Sequence, residues 1–261
     1  MLLKDKTIVV IGGTSGIGLS GAKACVREGA RVLVVGRNDE NVRLARAALG
    51  AEAVAFAGDA THPETAEKAV QMAFDKFGRV DGLYHVAGGS GRKMGDGPLH
   101  EITNEGWHYT LDLNMTSVFY SNRAAARHFL NQHKPGSILN LGSILGESPS
   151  PKFFGTHAYA AAKGSLSAFV KSCASYYAPR SIRFNLLVPA LVDTPMSQRA
   201  MGNTEIMRFM ATKQPLDGGR VGMPEDLDQA AVFFLSESSR FCTGQTLAVD
   251  GGWSLSEGQI S

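Results

Sequence analysis

Thr7-Ile8-Val9-Val10-Ile11 runs straight into Gly12-Gly13-Thr14-Ser15-Gly16-Ile17-Gly18, and the reading of this stretch decides the fold. The first five residues are a short β-branched run, as expected for a strand buried on both faces. The run stops at Gly12, and a helix is predicted from about Gly16 to Glu28, with Gly29 at its C-terminal end. In a strand–turn–helix context, missing Cβ atoms let the backbone approach a pyrophosphate. The helix N-terminus adds free amides and a dipole that favours an anion. A tight turn that holds no ligand has the same outline, so the stretch alone leaves both readings open.

Outward from this turn, strand and helix signals alternate. Strands are predicted at Arg31–Val35, Ala53–Ala57, Asp81–Val86, Ser137–Leu141, Ile182–Val188 and Gln245–Val249. Asn38 is placed to cap a helix ending before Gly50. Thr61-His62-Pro63-Glu64 has the spacing of a capping box, and Ala66, Ala69, Val70, Ala73 and Phe77 form the apolar stripe of the helix behind it. Further helices are expected over Asn114–Leu130, over the segment ending near Tyr177, and from Pro224 to Leu235. Such alternation argues for an α/β chain with a doubly wound parallel sheet of Rossmann type and helices on both faces. No composition break or repeat divides residues 1–261, so one dinucleotide-binding domain is expected.

Bulk properties exclude several classes. The formal charge of +2 is close to balance, and no basic stripe with interleaved aromatics points to nucleic acid. Cys25, Cys173 and Cys242 offer neither a disulfide framework nor a zinc pattern, and the seven histidines show no metal-ligand spacing; no metal is expected. No apolar run reaches the roughly 18 residues that a membrane span needs, and no leader pattern is read at the N-terminus. A cytoplasmic protein without membrane partners is expected.

Tyr159-Ala160-Ala161-Ala162-Lys163 carries the chemistry. Positions i and i+4 share a helix face. A free tyrosine ionises at about pH 10, and a cation within about 4–6 Å favours its phenolate. The pair is therefore expected to exchange a proton with a carbonyl/alcohol couple, Lys163 lowering the tyrosine's pKa.

With these motifs in hand, the chain resembles the short-chain dehydrogenase/reductases over nearly its whole length, and its tail resembles the 3-oxoacyl-carrier-protein reductase-like group. The resemblance rests on the G-x-x-x-G-x-G turn, Gly58-Asp59-Ala60, Ala87-Gly88, Asn114, Asn140-Leu141-Gly142-Ser143, Tyr159/Lys163, Pro189 with Thr194, and Asp250-Gly251-Gly252. It implies four catalytic residues. Ser143 would polarise the substrate carbonyl and Tyr159 would act as general acid or base. Lys163 would hold the nicotinamide ribose, and Asn114 would position a water linking Lys163 to solvent. It also implies nucleotide contacts from Gly12, Thr14, Ser15, Gly16, Ile17, Gly18, Arg37, Asp59, Ala60, Ala87, Gly88, Pro189, Val192 and Thr194, besides Tyr159 and Lys163. Homotetramers or homodimers are implied too, with Ala160, Ala161, Gly164, Ser167 and Ala168 allowing close helix approach; tight packing within one chain is the alternative. Three departures stand out: Ile11 replaces a threonine, His85-Val86 replace two asparagines, and Ala190 replaces a glycine. The loss of both asparagines suggests apolar packing there, or local substitution by His85.

At the end of the second strand the acidic residue of NAD-selective relatives is absent. Gly36 stands there, followed by Arg37, whose guanidinium suits a 2′-phosphate. NADP(H) is the expected cofactor, with NAD(H) possible. The Ser143–Tyr159 interval is longer than usual for such reductases, so the loop from Glu147 to Phe154 should border the substrate. Phe153 and Phe154 are candidates for an apolar wall, Arg92 and Lys93 for anion attraction or a solvated loop, and residues 194–216 for a mobile lid. The expected substrate is a small carbonyl or secondary alcohol. Nucleotide-sugar epimerases share Tyr-x-x-x-Lys but differ in their glycine turn, and a non-catalytic nucleotide-binding module is the remaining alternative.

Overall fold

The computed structural model describes residues 1–51 and 53–258; Glu52 and residues 259–261 of the expected 1–261 domain lie outside the described residues. In chain order it comprises β1 (Thr7–Ile11), α1 (Gly16–Arg27), β2 (Arg31–Gly36), α2 (Asp39–Leu49), β3 (Ala53–Ala57), α3 (Pro63–Phe77) and β4 (Gly82–His85). There follow α4 (Asn104–Leu111), α5 (Ser117–Asn131), β5 (Gly136–Leu141), α6 (Pro151–Phe154), α7 (His157–Tyr177) and β6 (Ile182–Pro189). The chain closes with α8 (Gln198–Met201), α9 (Thr204–Lys213), α10 (Asp228–Leu235) and β7 (Thr246–Val249).

The seven strands form one sheet in the order β3-β2-β1-β4-β5-β6-β7, and every pairing is parallel. The expected doubly wound α/β architecture is present. Strand alternation explains its two faces. Val9 and Ile11 of β1 join Leu33 and Val35 of β2 in one core, beneath α3, α5 and α7. Ile8 and Val10 join Val32 and Val34 in the other, beneath α1, α2 and α10. Burying each such side chain contributes roughly 1.5–3 kcal/mol. Because the order reverses between β1 and β4, a crevice opens at their C-terminal ends.

Local signals were mostly realised. Asn38 Oδ1 accepts the Asn41 amide at 2.9 Å, capping α2 as expected. The capping box at Thr61 is not formed: His62 is the N-cap of α3 and makes no side-chain cap bond. Asp59 takes both Thr61 donors instead, its Oδ1 accepting the amide at 2.9 Å and the hydroxyl at 2.8 Å. This two-residue closure outcompetes the cap. The helix expected from Asn114 starts much earlier, at Asn104, where Thr103 Oγ1 accepts the Gly106 amide at 2.9 Å. It passes through one π-helical turn, Asp112–Thr116, before continuing as α5. No helix among the described residues is long and apolar enough to cross a membrane.

Candidate active site

A cavity of about 350 Å³ lies where β1, β4, β5 and β6 end. The glycine turn adjoins it and contributes Ile17 to the lining. An added Cβ at Gly18 would stand 2.0 Å from the Gly12 carbonyl oxygen, and one at Gly12 would stand 2.5 Å from the Ala87 amide nitrogen. Only glycine permits this backbone-on-backbone contact. The first turn of α1 has no side-chain cap and no acidic residue, so its amides remain available to an anion. These features fit a dinucleotide's phosphates.

Tyr159 and Lys163 sit one turn apart on α7, whose stripe of Ala158, Ala162, Leu166, Val170 and Ala174 is buried. Ser143 follows β5 and enters a short 3₁₀ turn, Ile144–Gly146, that packs onto α7. A Cβ on Gly146 would stand 2.5 Å from the Gly164 nitrogen. Gly164 thus serves packing within the chain, bringing Ser143 beside Tyr159. Ser143 hydrogen-bonds the phenol, while Lys163 Nζ donates to the Leu141 carbonyl at 2.9 Å. All three line the cavity.

The electrostatics differ from the sequence reading. Burial raises the Tyr159 pKa above its ordinary value, opposed by the Ser143 hydrogen bond. The expected lowering by Lys163 does not prevail: desolvation of the phenol itself is the larger effect, with the ammonium 5.9 Å from the ring centroid. Desolvation pushes Lys163 down to about 8.

Asn114 is fully buried in the π-helical turn. Its Nδ2 donates to the Gly89 and Thr110 carbonyls, each at 2.9 Å, and its Oδ1 accepts the Gly89 amide at 3.1 Å. It pins the loop after β4. A Cβ on Gly88 would stand 2.8 Å from Asn114 Oδ1 and 3.3 Å from Lys163 Nζ, so the two side chains flank that glycine. The replaced asparagines are accounted for locally by His85. Its Nδ1 contacts Ser121 Oγ at 2.7 Å and its Nε2 contacts the Ala87 carbonyl at 3.0 Å. A carbonyl only accepts, so Nε2 carries the proton. Burial first, then Lys163, pushes this imidazole down to about 3, so it stays neutral.

Of the expected nucleotide contacts, Ile17, Gly88, Tyr159, Lys163, Pro189, Val192 and Thr194 line the cavity. Gly12, Thr14, Ser15, Gly16 and Gly18 form the adjoining turn, and Ala87 packs on Gly12. Arg37, Asp59 and Ala60 stand outside the cavity, just beyond the ends of β2 and β3. On the substrate side, Phe154 lines the cavity, but Phe153 turns away to pack on Phe209 with centroids 5.1 Å apart. The segment 194–216 folds into α8 and α9, and its Ile206, Phe209 and Met210 join the core.

Two contributors escaped the sequence reading. Trp253 is buried in the wall, its Nε1 donating to the Ser148 carbonyl at 3.1 Å and its ring meeting Phe154 edge-on at 5.8 Å. Asp96, also buried, accepts the Ala158 amide at 3.0 Å on Oδ1 and the Tyr159 amide at 3.1 Å on Oδ2. Its carboxylate satisfies orphan donors at the N-terminus of the catalytic helix. Asp96→Ala is expected to lower kcat about tenfold or more with little change in KM, since two charge-assisted bonds of about 1.5–3 kcal/mol each are lost. Asp96→Asn, which keeps one acceptor, should recover part of kcat. Steady-state kinetics of both variants check this, and equal activity of Asp96→Ala and wild type would sink the positioning role.

Residues 12–254 match the family model described as enoyl-(acyl carrier protein) reductase. The chain is 34% identical over 257 residues to 2-(S)-hydroxypropyl-CoM dehydrogenase 3 of Xanthobacter autotrophicus, covering 96% of this chain and 97% of that one. It is 35% identical over 254 residues to the 3-oxoacyl-(acyl-carrier-protein) reductase FabG of Chlamydia pneumoniae, covering 96% and 97%. Among solved structures, a short-chain type dehydrogenase/reductase from Mycobacterium ulcerans superposes with a TM-score of 0.90 at 31% identity, covering 99% of this chain and 93% of that one.

Proposed function

Because the chain belongs to the short-chain dehydrogenase/reductase family, we propose that Tyr159 exchanges the proton of its reaction, with Ser143 and Lys163 orienting the exchange. The protein is a hydride-transfer oxidoreductase that acts on alcohol or carbonyl groups and uses a nicotinamide cofactor. The observation that carries the residue assignment is the meeting of Ser143, Tyr159 and Lys163 in the one cavity bordered by the glycine turn.

Gly12–Gly18 and the α1 N-terminus would hold the nucleotide's phosphates, and Lys163 with Tyr159 its nicotinamide ribose. When bound, the nicotinamide supplies or accepts the hydride. During reduction, Ser143 and Tyr159 hydrogen-bond the substrate oxygen. The phenol, kept protonated by burial, gives its proton to that oxygen as negative charge develops there. In oxidation the same group takes the proton back. Lys163, with one ammonium hydrogen fixed on Leu141, stabilises the tyrosinate that donation leaves. Asn114 borders the route by which it is reprotonated from solvent.

NADP(H) is the preferred cofactor in this reading. Arg37 is exposed and makes no hydrogen bond or ion pair among the described residues, and its charge acts on Asp59. A Cβ at Gly36 would stand 1.9 Å from Thr14 Oγ1, so a carboxylate there would displace Thr14. Arg37→Ser should therefore weaken NADPH binding by about 10–100-fold and leave NADH nearly unchanged, the worth of charge-assisted bonds to one phosphate. Fluorescence titration at physiological salt checks this. Tighter NADH than NADPH binding by the wild type would refute the preference.

A further inference from the structure

The substrate half of the cavity has an unusual charge pattern. Four cationic side chains line it, Arg92, Lys93, Lys163 and Arg199, and no Asp or Glu among the described residues does. Lys163 belongs to the reacting end. The two arginines converge from different elements, Arg92 from the loop after β4 and Arg199 from α8. Their Nη2 atoms donate to the same Phe153 carbonyl, each at 3.3 Å. Neither forms an ion pair among the described residues. Asp96 is the acid that faces Arg92, but both its oxygens are engaged by the Ala158 and Tyr159 amides.

Two guanidiniums, half-buried Arg92 and exposed Arg199, thus share one neutral acceptor. Burial and then the charge of Arg199 lower the Arg92 pKa, with Asp96 opposing. Most of their donors are uncommitted, since each guanidinium carries five. The site is nonetheless built. Phe153 and Phe154 belong to α6, within the long Ser143–Tyr159 interval. Phe154 lies under Arg199 at 6.0 Å from guanidinium carbon to ring centroid, and it is braced edge-on by Trp253. Apolar Leu145, Phe154 and Trp253 line the same cavity as Ser143, Tyr159 and the cations. The glycine turn is approached by Thr194, whose Cγ2 would stand 3.2 Å from a Cβ on Gly16, whereas the arginines meet at Phe153.

We propose that Arg92 and Arg199, with Lys93 at the rim, form an anion subsite, and that the substrate is a carbonyl or secondary alcohol with an apolar spacer ending in a carboxylate or another oxyanion. An arriving oxyanion replaces the shared Phe153 contact with paired charge-assisted bonds. The proposal rests on Ser143 and Tyr159 marking the reacting end.

The test is calorimetric binding of 5-oxohexanoate, its sulfonate counterpart and its methyl ester to NADP⁺-saturated wild type, Arg92→Met, Arg199→Met and Tyr159→Phe. Methionine keeps the apolar stem of arginine. The wild type is expected to bind the acid, the sulfonate or both about 10–100-fold more tightly than the ester, a preference that largely disappears in either arginine variant while NADP⁺ affinity holds. Equal binding of anions and ester by the wild type, or binding of none, overturns the proposal. So does loss of NADP⁺ affinity in both arginine variants, which would assign the guanidiniums to the nucleotide. Tyr159→Phe should keep the anion preference. If it also kept full ester turnover, the proton-transfer assignment would fall while the subsite stood.

Discussion

Tyr159→Phe lowers kcat by about 10²–10⁴-fold, the range that a positioned proton donor contributes. Phenylalanine keeps the half-buried ring and leaves the α7 stripe intact, so the fold and nucleotide binding are expected to survive. What disappears is the hydroxyl that meets Ser143 and would meet the substrate oxygen. Ser143 does not replace it, since an alcohol is a far weaker acid than a phenol. His85 is held neutral and spent on Ser121 and Ala87. Steady-state assays on the best carbonyl substrate, with nucleotide binding measured in parallel, check the result. Undiminished turnover would remove Tyr159 from the mechanism.

Lys163→Met carries the second large effect. Turnover should fall by about 10²–10³-fold, as when one preorganised charge facing the developing negative charge is lost. The same substitution has a stability signature. In the nucleotide-free protein the ammonium is buried and its pKa is about 8, against 10.5 in an unperturbed lysine. Between those values the unfolded chain binds more protons than the folded one, so this group makes stability rise with pH. Its burial penalty is complete below about pH 8 and has gone above 10.5. Lys163→Met lacks the penalty. Its unfolding free energy relative to wild type should therefore be most favourable at pH 8 and below, and should decline toward pH 10.5. Denaturant titrations across that range read the difference, and a flat difference would mean that the wild-type amine is not desolvated.

Much of this was legible in the sequence, for identifiable reasons. Parallel strands buried on both faces leave unbroken β-branched runs, and Thr7–Ile11 declares itself so. The glycine turn is legible because backbone stands on backbone at Gly12 and Gly18, and no other residue fits. Tyr159 and Lys163 are legible because helix periodicity converts spacing into proximity. Contacts between distant segments were not. Asp96 reaches the Ala158 and Tyr159 amides across more than sixty positions, and nothing near it in the chain marks a helix cap. Trp253 reaches Ser148 across a still larger separation. The helix that starts at Asn104 was read only from Asn114 onward, and the π-helical turn that shifts its register there left no mark in the sequence. The sign of the Tyr159 shift was missed because proximity to Lys163 was legible and the depth of burial was not.

The assignment of Tyr159 and Ser143 as the groups that meet the reacting oxygen is tested most directly by a crystal structure with NADPH and an unreactive ketone analogue. The ketone oxygen is expected within about 3.2 Å of both Tyr159 Oη and Ser143 Oγ, hydrogen-bonding distance. An analogue whose oxygen lies against other side chains, with Tyr159 and Ser143 turned from it, would contradict the account.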